Sequence, residues 1–551
     1  MNWWALELSL NRMHRNKFLV ILLFVGQSLW AQSYYWIHLK DKGVTTNESW
    51  VPALSEKALE RRQKLDIALD ETDLAVKAEY VSEIKQNGVR ILGASRWLNA
   101  IAVEMRPEQS RDILELEFVR TITPMMKGGM STAYQRGSFE RAEFSKVSMA
   151  AQTQFNYGNG QMQIKMMNGD LLHGLGYTGT GMKIAVFDGG FTGVDSYTAF
   201  DDLRMDGRII STRDFIDNDA NVFHGSFHGT GVLSIMAANL DAVLVGTAPD
   251  ADYYLARTEN TSSETPIEEL AWIRAAEWAD SIGVDVINSS LGYNLFDNPS
   301  DNYSYQDMNG RTAIVTLGAV MAARKGILVV SSAGNEGNDP WKYITAPGDA
   351  DSILTVGAVD FQGDRAGFSS VGPTFDRRVK PNVVGPGVSV SLVSFGGNVG
   401  TSNGTSFSSP LVAGLATCLM QAHPGKDPQE VILAIQGSAS QSNQPDSLLG
   451  YGIPDFSFAN VVLSAPEEQV QNEWLVGTDP FSRAIIIQFP ENVQGEADLE
   501  MIDLNGKLLS SMRVDLSNKP TRWETPNSLA AGVYALRIRM GSDLRVFKVI
   551  L

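Results

Sequence analysis

One cysteine, Cys418, stands in 551 residues, so no intrachain disulfide, cysteine-held zinc or CxxC redox pair can form. Histidine is scarce as well, six in all. Positive charge is in deficit. Against 63 Asp and Glu there are 45 Lys and Arg, a formal charge of −18 that repels nucleic-acid phosphates and excludes them as partners. Long apolar runs are missing except near the N-terminus, and that one, 18–25, is too short to cross a membrane. What remains is a soluble globular composition, 44% hydrophobic and 20% charged. The length suits roughly two to four folded units.

The first segment, 1–31, has His14, Arg15 and Lys17 before the apolar run, then small and polar residues ending at Ala31. This is the pattern of a secretory signal, with Met13 as an alternative start and cleavage expected after Ala31. Residues 32–126 read as a compact α+β unit. Strands are expected at 34–39, 91–92, 100–103 and 118–122, and helices at 55–65, 74–86 and 107–117. Its place between a signal and a larger domain suggests a pro-segment. Residues 127–155 are polar and aperiodic, a linker exposed enough to be cut.

From 156 to 465 apolar strand-like runs alternate with helical patterns. Strands are expected at 182–187, 252–256, 284–290, 327–332 and 353–359, with helices at 230–238, 266–281 and 313–325. That order implies an α/β fold, a mostly parallel sheet covered by helices on both faces. Such sheets carry reactive groups at the carboxyl ends of their strands. Residues 466–551 read as five short strands with Asn505-Gly506 at a hairpin turn, a small β-sandwich.

Four polar residues sit beside backbone-permissive glycines in this central region. Ser406 follows Gly404-Thr405 and opens an apolar helical run. It reads equally as an N-cap or as a nucleophile placed where helix N–H groups favour negative charge. Asp188 ends a buried strand and precedes Gly189-Gly190, as a turn former or an acid. His228 lies in Phe227-His228-Gly229-Thr230-Gly231. His224, four residues earlier, raises a metal pair, but Gly225 stands where the HExxH pattern needs Glu. Asn335, in SAGNEG after a strand, is either a turn residue or an amide donor to an oxyanion. No metal ligand set emerges.

The order Asp188, His228, Asn335, Ser406 is unexpected by chance, and the chain resembles the subtilisin-like serine peptidases. The matching pieces are FDGGF around Asp188, HGTGV around His228, SAGNEG around Asn335 and GTSFSSPLVAG around Ser406. The resemblance implies a subtilisin-like fold and a secreted endopeptidase with Asp188, His228 and Ser406 as triad and Asn335 in the oxyanion hole. Substrate is then expected along Ser289, Ser290, Leu291 and Gly292 on one side and Ala333 and Gly334 on the other. Residues 32–126 resemble the family's inhibitory pro-segment. The tail resembles the sorting domains of type IX secretion, through Asp479-Pro480-Phe481, LNGK and LAAGVYALRI.

The expected partners are therefore peptide substrates, the chain's own pro-segment and the secretion machinery, with neither nucleic acid nor membrane. No cofactor is expected to be required. Structural calcium has only DMNG (307–310), half a motif, in its favour. Asn382 stands in KPNVVGPG where Asp is usual, and the insertion 293–312 is expected at a rim of the cleft. The rival within the same resemblance is an inactive adhesion protein. A lipase of the α/β-hydrolase type fails because Ser408 occupies the second glycine of GxSxG.

Overall fold

The computed structural model describes residues 33–43, 54–125, 153, 155–464, 475–478, 485–488, 495–502, 507–516, 521–523, 533–540 and 543–550. The expected signal, nearly all of the linker, and the Asp479–Phe481 and Asn505-Gly506 pieces of the tail lie outside them. The chain divides into two units, Met1–Asn460 and Val461–Leu551.

The first unit is built on a seven-stranded sheet. Its order is Val383–Pro386, Leu354–Val359, Leu328–Ser332, Val286–Ser289, Lys183–Asp188, Asp252–Arg257 and Ile209–Asp214. Every neighbouring pair is parallel. The inner strands Leu328–Ser332 and Leu354–Val359 are buried at every position, as continuous apolar strands covered on both faces must be. On one face Ala185, Phe187, Ile287 and Val329 join a core with Trp272, Ile273 and Val315 of the helices Pro266–Ile282 and Ile314–Arg324. The buried helix Thr405–Ala422 packs across four of the strands, and His228–Ala237 packs beside it.

Two strands of this sheet were not expected, and both are its edges. Ile209–Asp214 reads IISTRD, half-buried and polar, while Val383–Pro386 is four residues closed by Gly-Pro. Edge strands are short and lack the unbroken apolar run that betrays a central one.

In the N-terminal region Arg90–Ser95, Ala100–Met105, Ser33–Leu39 and Val119–Pro124 form an antiparallel sheet in that order. The expected helix at 74–86 begins only at Ala78. That at 107–117 shrinks to the 3₁₀ turn Pro107–Gln109 followed by Ser110–Leu114. Trp36, Trp97 and Leu98 enter the same core as Trp272, so this sheet lies against the helix Pro266–Ile282.

The second unit has a three-stranded sheet, Leu475–Thr478, Ile485–Gln488 and Thr521–Trp523, of which the first and last strands were not expected. A four-stranded sheet is ordered Leu508–Leu516, Gly495–Ile502, Val533–Met540 and Asp543–Ile550. Ile485, Ile487 and Trp523 of the first share one core with Leu499, Met501, Leu536 and Ile538 of the second, which makes it a small β-sandwich. Among the described residues no helix is long and apolar enough to cross a membrane.

Candidate active site

Asp188 is the last residue of Lys183–Asp188, the strand that lies between Val286–Ser289 and Asp252–Arg257. The helix His228–Ala237 starts directly against it. Gly229 permits that approach, because a Cβ there would collide with Gly190 O and lie 2.8 Å from Asp188 Cβ. Gly190 itself holds φ 139°, and a side chain on it would run into the His224 carbonyl. The result is a short pairing, His228 Nδ1 at 2.8 Å from Asp188 Oδ2 and 3.0 Å from Oδ1. Gly189 N also donates to Oδ1 at 2.8 Å, and His228 N to Ser226 Oγ at 3.0 Å.

Asp188 is 1% exposed while the His228 side chain is 36% exposed, so the acid is sealed and the imidazole opens to solvent. Desolvation disfavours the imidazolium, but the Asp188 charge and hydrogen bond outweigh it, and the His228 pKa rises above its ordinary value.

Ser406 is the second residue of Thr405–Ala422, whose N-cap is Gly404 at φ 151° with no side-chain cap bond. The N-cap alternative for Ser406 is thereby overturned: its Oγ donates to Ser290 O at 3.2 Å. Ser290 Oγ returns a bond to Ser406 O at 2.8 Å, Asn288 Nδ2 holds Ser290 Oγ at 3.1 Å, and Ser409 Oγ holds Asn288 Oδ1 at 2.9 Å. This network clamps the first helical turn to the end of the strand Val286–Ser289.

Asn335 is fixed from the same turn. Its Oδ1 accepts from Thr405 N at 2.9 Å and Thr405 Oγ1 at 3.0 Å, which turns its NH₂ the other way, available to an oxyanion. Among the described residues no hydrogen bond joins His228 to Ser406. Their link is Phe407, whose ring lies 5.6 Å from that of His228. Catalytic hydrogen bonds of this kind commonly close only with substrate present.

The metal alternative at His224 and His228 separates into two unrelated places. His224 Nε2 meets Asn221 O at 2.9 Å and lies 3.5 Å from Asp214. Between Asp214 and Asp217, where a cation would sit, stands the Arg257 guanidinium, at 2.7 and 2.6 Å. Asp307 of DMNG accepts from Ser304 N and Oγ, the capping of a 3₁₀ turn.

A cleft of about 540 Å³ opens from Ser406 and Asn335. Ser290, Leu291, Gly292 and Gly334 line it, as expected. Ser289 and Ala333 stand behind it: the Ser289 hydroxyl takes the Trp272 Nε1–H at 2.9 Å, and both residues are fully buried. The insertion reaches the cleft through Asp297, which accepts from Glu264 N at 3.1 Å.

Comparison with known proteins agrees with this architecture. A family model described as the subtilase family matches residues 179–452. A subtilisin of Bacillus pumilus is 34% identical over 265 residues, 47% of this chain and 84% of that protein. The chain belongs to the subtilase family. A second model, the peptidase S8 propeptide domain of Bacteroidota, matches residues 34–137, reaching past Met126.

Among other subtilases, subtilisin NAT of Bacillus subtilis subsp. natto is 35% identical over the same length, but the match spans only 61% of that relative. Fervidolysin from Fervidobacterium pennivorans, a keratinolytic enzyme related to subtilisin, shares the fold at a TM-score of 0.53. It is 17% identical, covering 92% of this chain and 71% of its own.

Sequence reasoning missed the acids of this subtilase cleft. Glu259, Glu264, Glu268, Asp297 and Glu336 line it from separate segments. Thr265-x-x-Glu268 carries only the signal of a capping box, which it indeed forms at the helix start.

Proposed function

We propose that the chain is a secreted serine endopeptidase made with an inhibitory pro-segment. The observation that carries this reading is the pair of half-sites at one end of the sheet, Asp188–His228 at 2.8 Å and Ser406 clamped beside Asn335. In this mechanism the Ser406 hydroxyl leaves the Ser290 carbonyl and turns to the free nitrogen of His228. That nitrogen takes the proton as Oγ attacks a peptide carbonyl, then returns it to the leaving amine. Asp188 holds the imidazole orientation and stabilises the imidazolium without itself becoming protonated. The oxyanion meets the Asn335 NH₂ and the Ser406 N–H at the helix start. Water then hydrolyses the acyl-enzyme by the reverse proton path.

Substrate lies extended between the strand edges at Ser290–Gly292 and Ser332–Gly334, bound through its main chain. The region matching the Bacteroidota propeptide model serves as the chain's own inhibitor, and the C-terminal sandwich addresses the secretion machinery. No cofactor enters the chemistry.

The test is a fluorophosphonate label together with peptide hydrolysis. Ser406 takes the label, Ser406→Ala loses on the order of 10⁶ in turnover, and Asn335→Ala loses about 10²–10³, the scale seen in subtilisins. Near-normal cleavage by Ser406→Ala refutes the assignment and leaves the inactive adhesion protein. Mass spectrometry of the exported form reads the trimmed ends, and an intact N-terminus at Met1 or Met13 refutes the signal.

A further inference from the structure

Glu259 stands beside the Asp188–His228 pair without bonding to either. Its strand, Asp252–Arg257, is the parallel neighbour of Lys183–Asp188, and the two chains stay joined past the strand ends, where Thr258 N donates to Asp188 O at 3.0 Å. Three side chains converge there on Gly189. A Cβ on that residue would lie 3.0 Å from Thr261 Cγ2, 3.4 Å from Ser226 Cβ and 3.6 Å from Glu259 Cβ. Gly189 N donates to Asp188 Oδ1, and Ser226 Oγ accepts from His228 N. Glu259 therefore borders the glycine that holds the acid, in company with the serine that holds the histidine.

The Glu259 carboxylate is fixed in place. Its Oε1 accepts from Tyr293 OH at 2.6 Å and from Thr258 Oγ1 at 2.8 Å, and the tyrosine is 1% exposed. The titratable groups that bear on it are Asp188, Glu264 and Glu268, all acids, with Tyr293 itself and the His228 imidazole. Arg257, two residues earlier, is turned to Asp214 and Asp217 at 2.7 and 2.6 Å, and no Lys or Arg lines the cleft among the described residues. Burial pushes Glu259 up to about 7, the two hydroxyl donors restrain the rise, and its charge in turn raises His228. An acid and an imidazole that favour each other's charged forms titrate as a coupled pair.

We propose that Glu259 is a positioning residue that works through His228. Ionised, it stabilises the imidazolium that forms as Ser406 gives up its proton, and the Tyr293 hydroxyl helps to keep it ionised. This rests on the peptidase reading above. Asp188 carries the larger share through a direct hydrogen bond, whereas Glu259 acts by charge alone at longer range. Tyr293 opens the insertion 293–312, so the insertion reaches the chemistry through this one hydroxyl. Two effects of opposite appearance follow from the same charge. In the resting protein it makes His228 easier to protonate, which moves the acid limb of activity upward. In the transition state it lowers the barrier. Removing it therefore moves the limb down and the plateau down together.

The test measures kcat and KM for an uncharged fluorogenic peptide from pH 5 to 10 on the purified protein and three variants. Glu259→Gln should lower the plateau kcat about 3–10-fold, leave KM within about twofold, and move the acid limb down by about half a pH unit. Glu259→Asp should recover part of both changes. Tyr293→Phe withdraws a donor that favours the carboxylate, so Glu259 loses its proton later. Its kcat should fall toward that of Glu259→Gln near pH 7 and return toward the unaltered protein above pH 9. A limb and plateau unmoved in Glu259→Gln overturn the proposal. So does a change confined to KM, which would make Glu259 a substrate contact. Should Glu259→Gln fail to fold, Tyr293→Phe decides alone, and a loss equal at every pH overturns it. Fluorophosphonate labelling separates the two failures. Labelled, cleaving protein whose profile ignores Glu259 sinks only this role, while no label and no cleavage sinks the peptidase reading beneath it.

Discussion

Asp280 and Glu268 lie on one helix, Pro266–Ile282, twelve residues and about 18 Å apart, and both are sealed from water. Their company differs completely. Asp280 takes three arginines of the N-terminal region, Arg61 at 2.6 Å, Arg62 at 2.8 Å and Arg96 at 2.8 Å, while Glu277 one turn earlier takes Ser95 Oγ at 2.6 Å. Lys325, at the end of the neighbouring helix, reaches Asp73 at 3.0 Å. At the cleft end Glu268 faces two other glutamates and, among the described residues that line the cleft, no cation. A buried carboxylate is tolerated either by a counter-ion or by a proton. The pro-segment supplies the first at one end of the helix. The second prevails at the other, where the groove stands open to substrate.

Asp188 lies between those extremes, since its partner can itself lose charge. The largest effect that probes the comparison is therefore Asp188→Asn. It keeps the shape but cannot fix the His228 tautomer or stabilise its cation. Turnover is expected to fall about 10⁴-fold, the scale set by such changes in serine peptidases. The sign of the pH profile follows from the same pair. In the proposed mechanism His228 must be neutral to accept the Ser406 proton, and its raised pKa predicts that activity is lost as pH falls through a value above 6.5. In Asp188→Asn the residual activity should persist to lower pH, because the stabilising charge is gone. An acid limb that stays in place would remove Asp188 from this role.

Next in size is Asp280→Leu, which leaves three arginines buried with their shared partner removed. Breaking a buried ion pair from one side costs about 3–5 kcal/mol, because the remaining charge is left uncompensated. The full-length chain should melt earlier, and the N-terminal region should become the first site of protease nicking. Unchanged melting and an unchanged nicking pattern would mean that apolar packing by Trp36, Trp97 and Leu98 carries the docking alone.

Residue chemistry made part of this legible in advance. Asp188, His228, Asn335 and Ser406 each stand beside a glycine that a close approach or positive φ requires, or one residue from it. The five expected strands of the central sheet are each built round a short apolar stretch that the fold buries. The acids of the cleft could not be found that way. Glu259 and Glu264 sit on the loop before the helix, Asp297 in the insertion and Glu336 after a different strand, so only folding makes them neighbours. Local pattern assigned Glu268 to a cap, which is true and conceals its second position. The same limit applies to Asp280, whose three arginines come from two segments far earlier in the chain. The Ser406 clamp through Ser290 and Asn288 was half visible, since the strand end was expected near the site but its hydroxyl bonds were not.

The smallest effect isolates the uncompensated end. Glu268 binds its proton more tightly folded than unfolded, with a pKa near 9 against an ordinary 4.5. Below pH 4.5 both states are protonated and nothing is lost. Above it the unfolded chain gives up a proton that the folded chain keeps, so stability falls as pH rises toward 9. Glu259 and Glu264, near 7, add the same sign over the lower part of that window. Glu268→Gln keeps the neutral shape and cannot ionise, so its decline should be shallower across the whole span from pH 4.5 to 9, by about 1–2 kcal/mol after allowance for water reaching the groove. Urea midpoints of the two proteins at pH 5, 7 and 8.5 measure this. Parallel curves would mean that the folded groove already supplies Glu268 with a compensating charge, and the contrast with Asp280 would disappear.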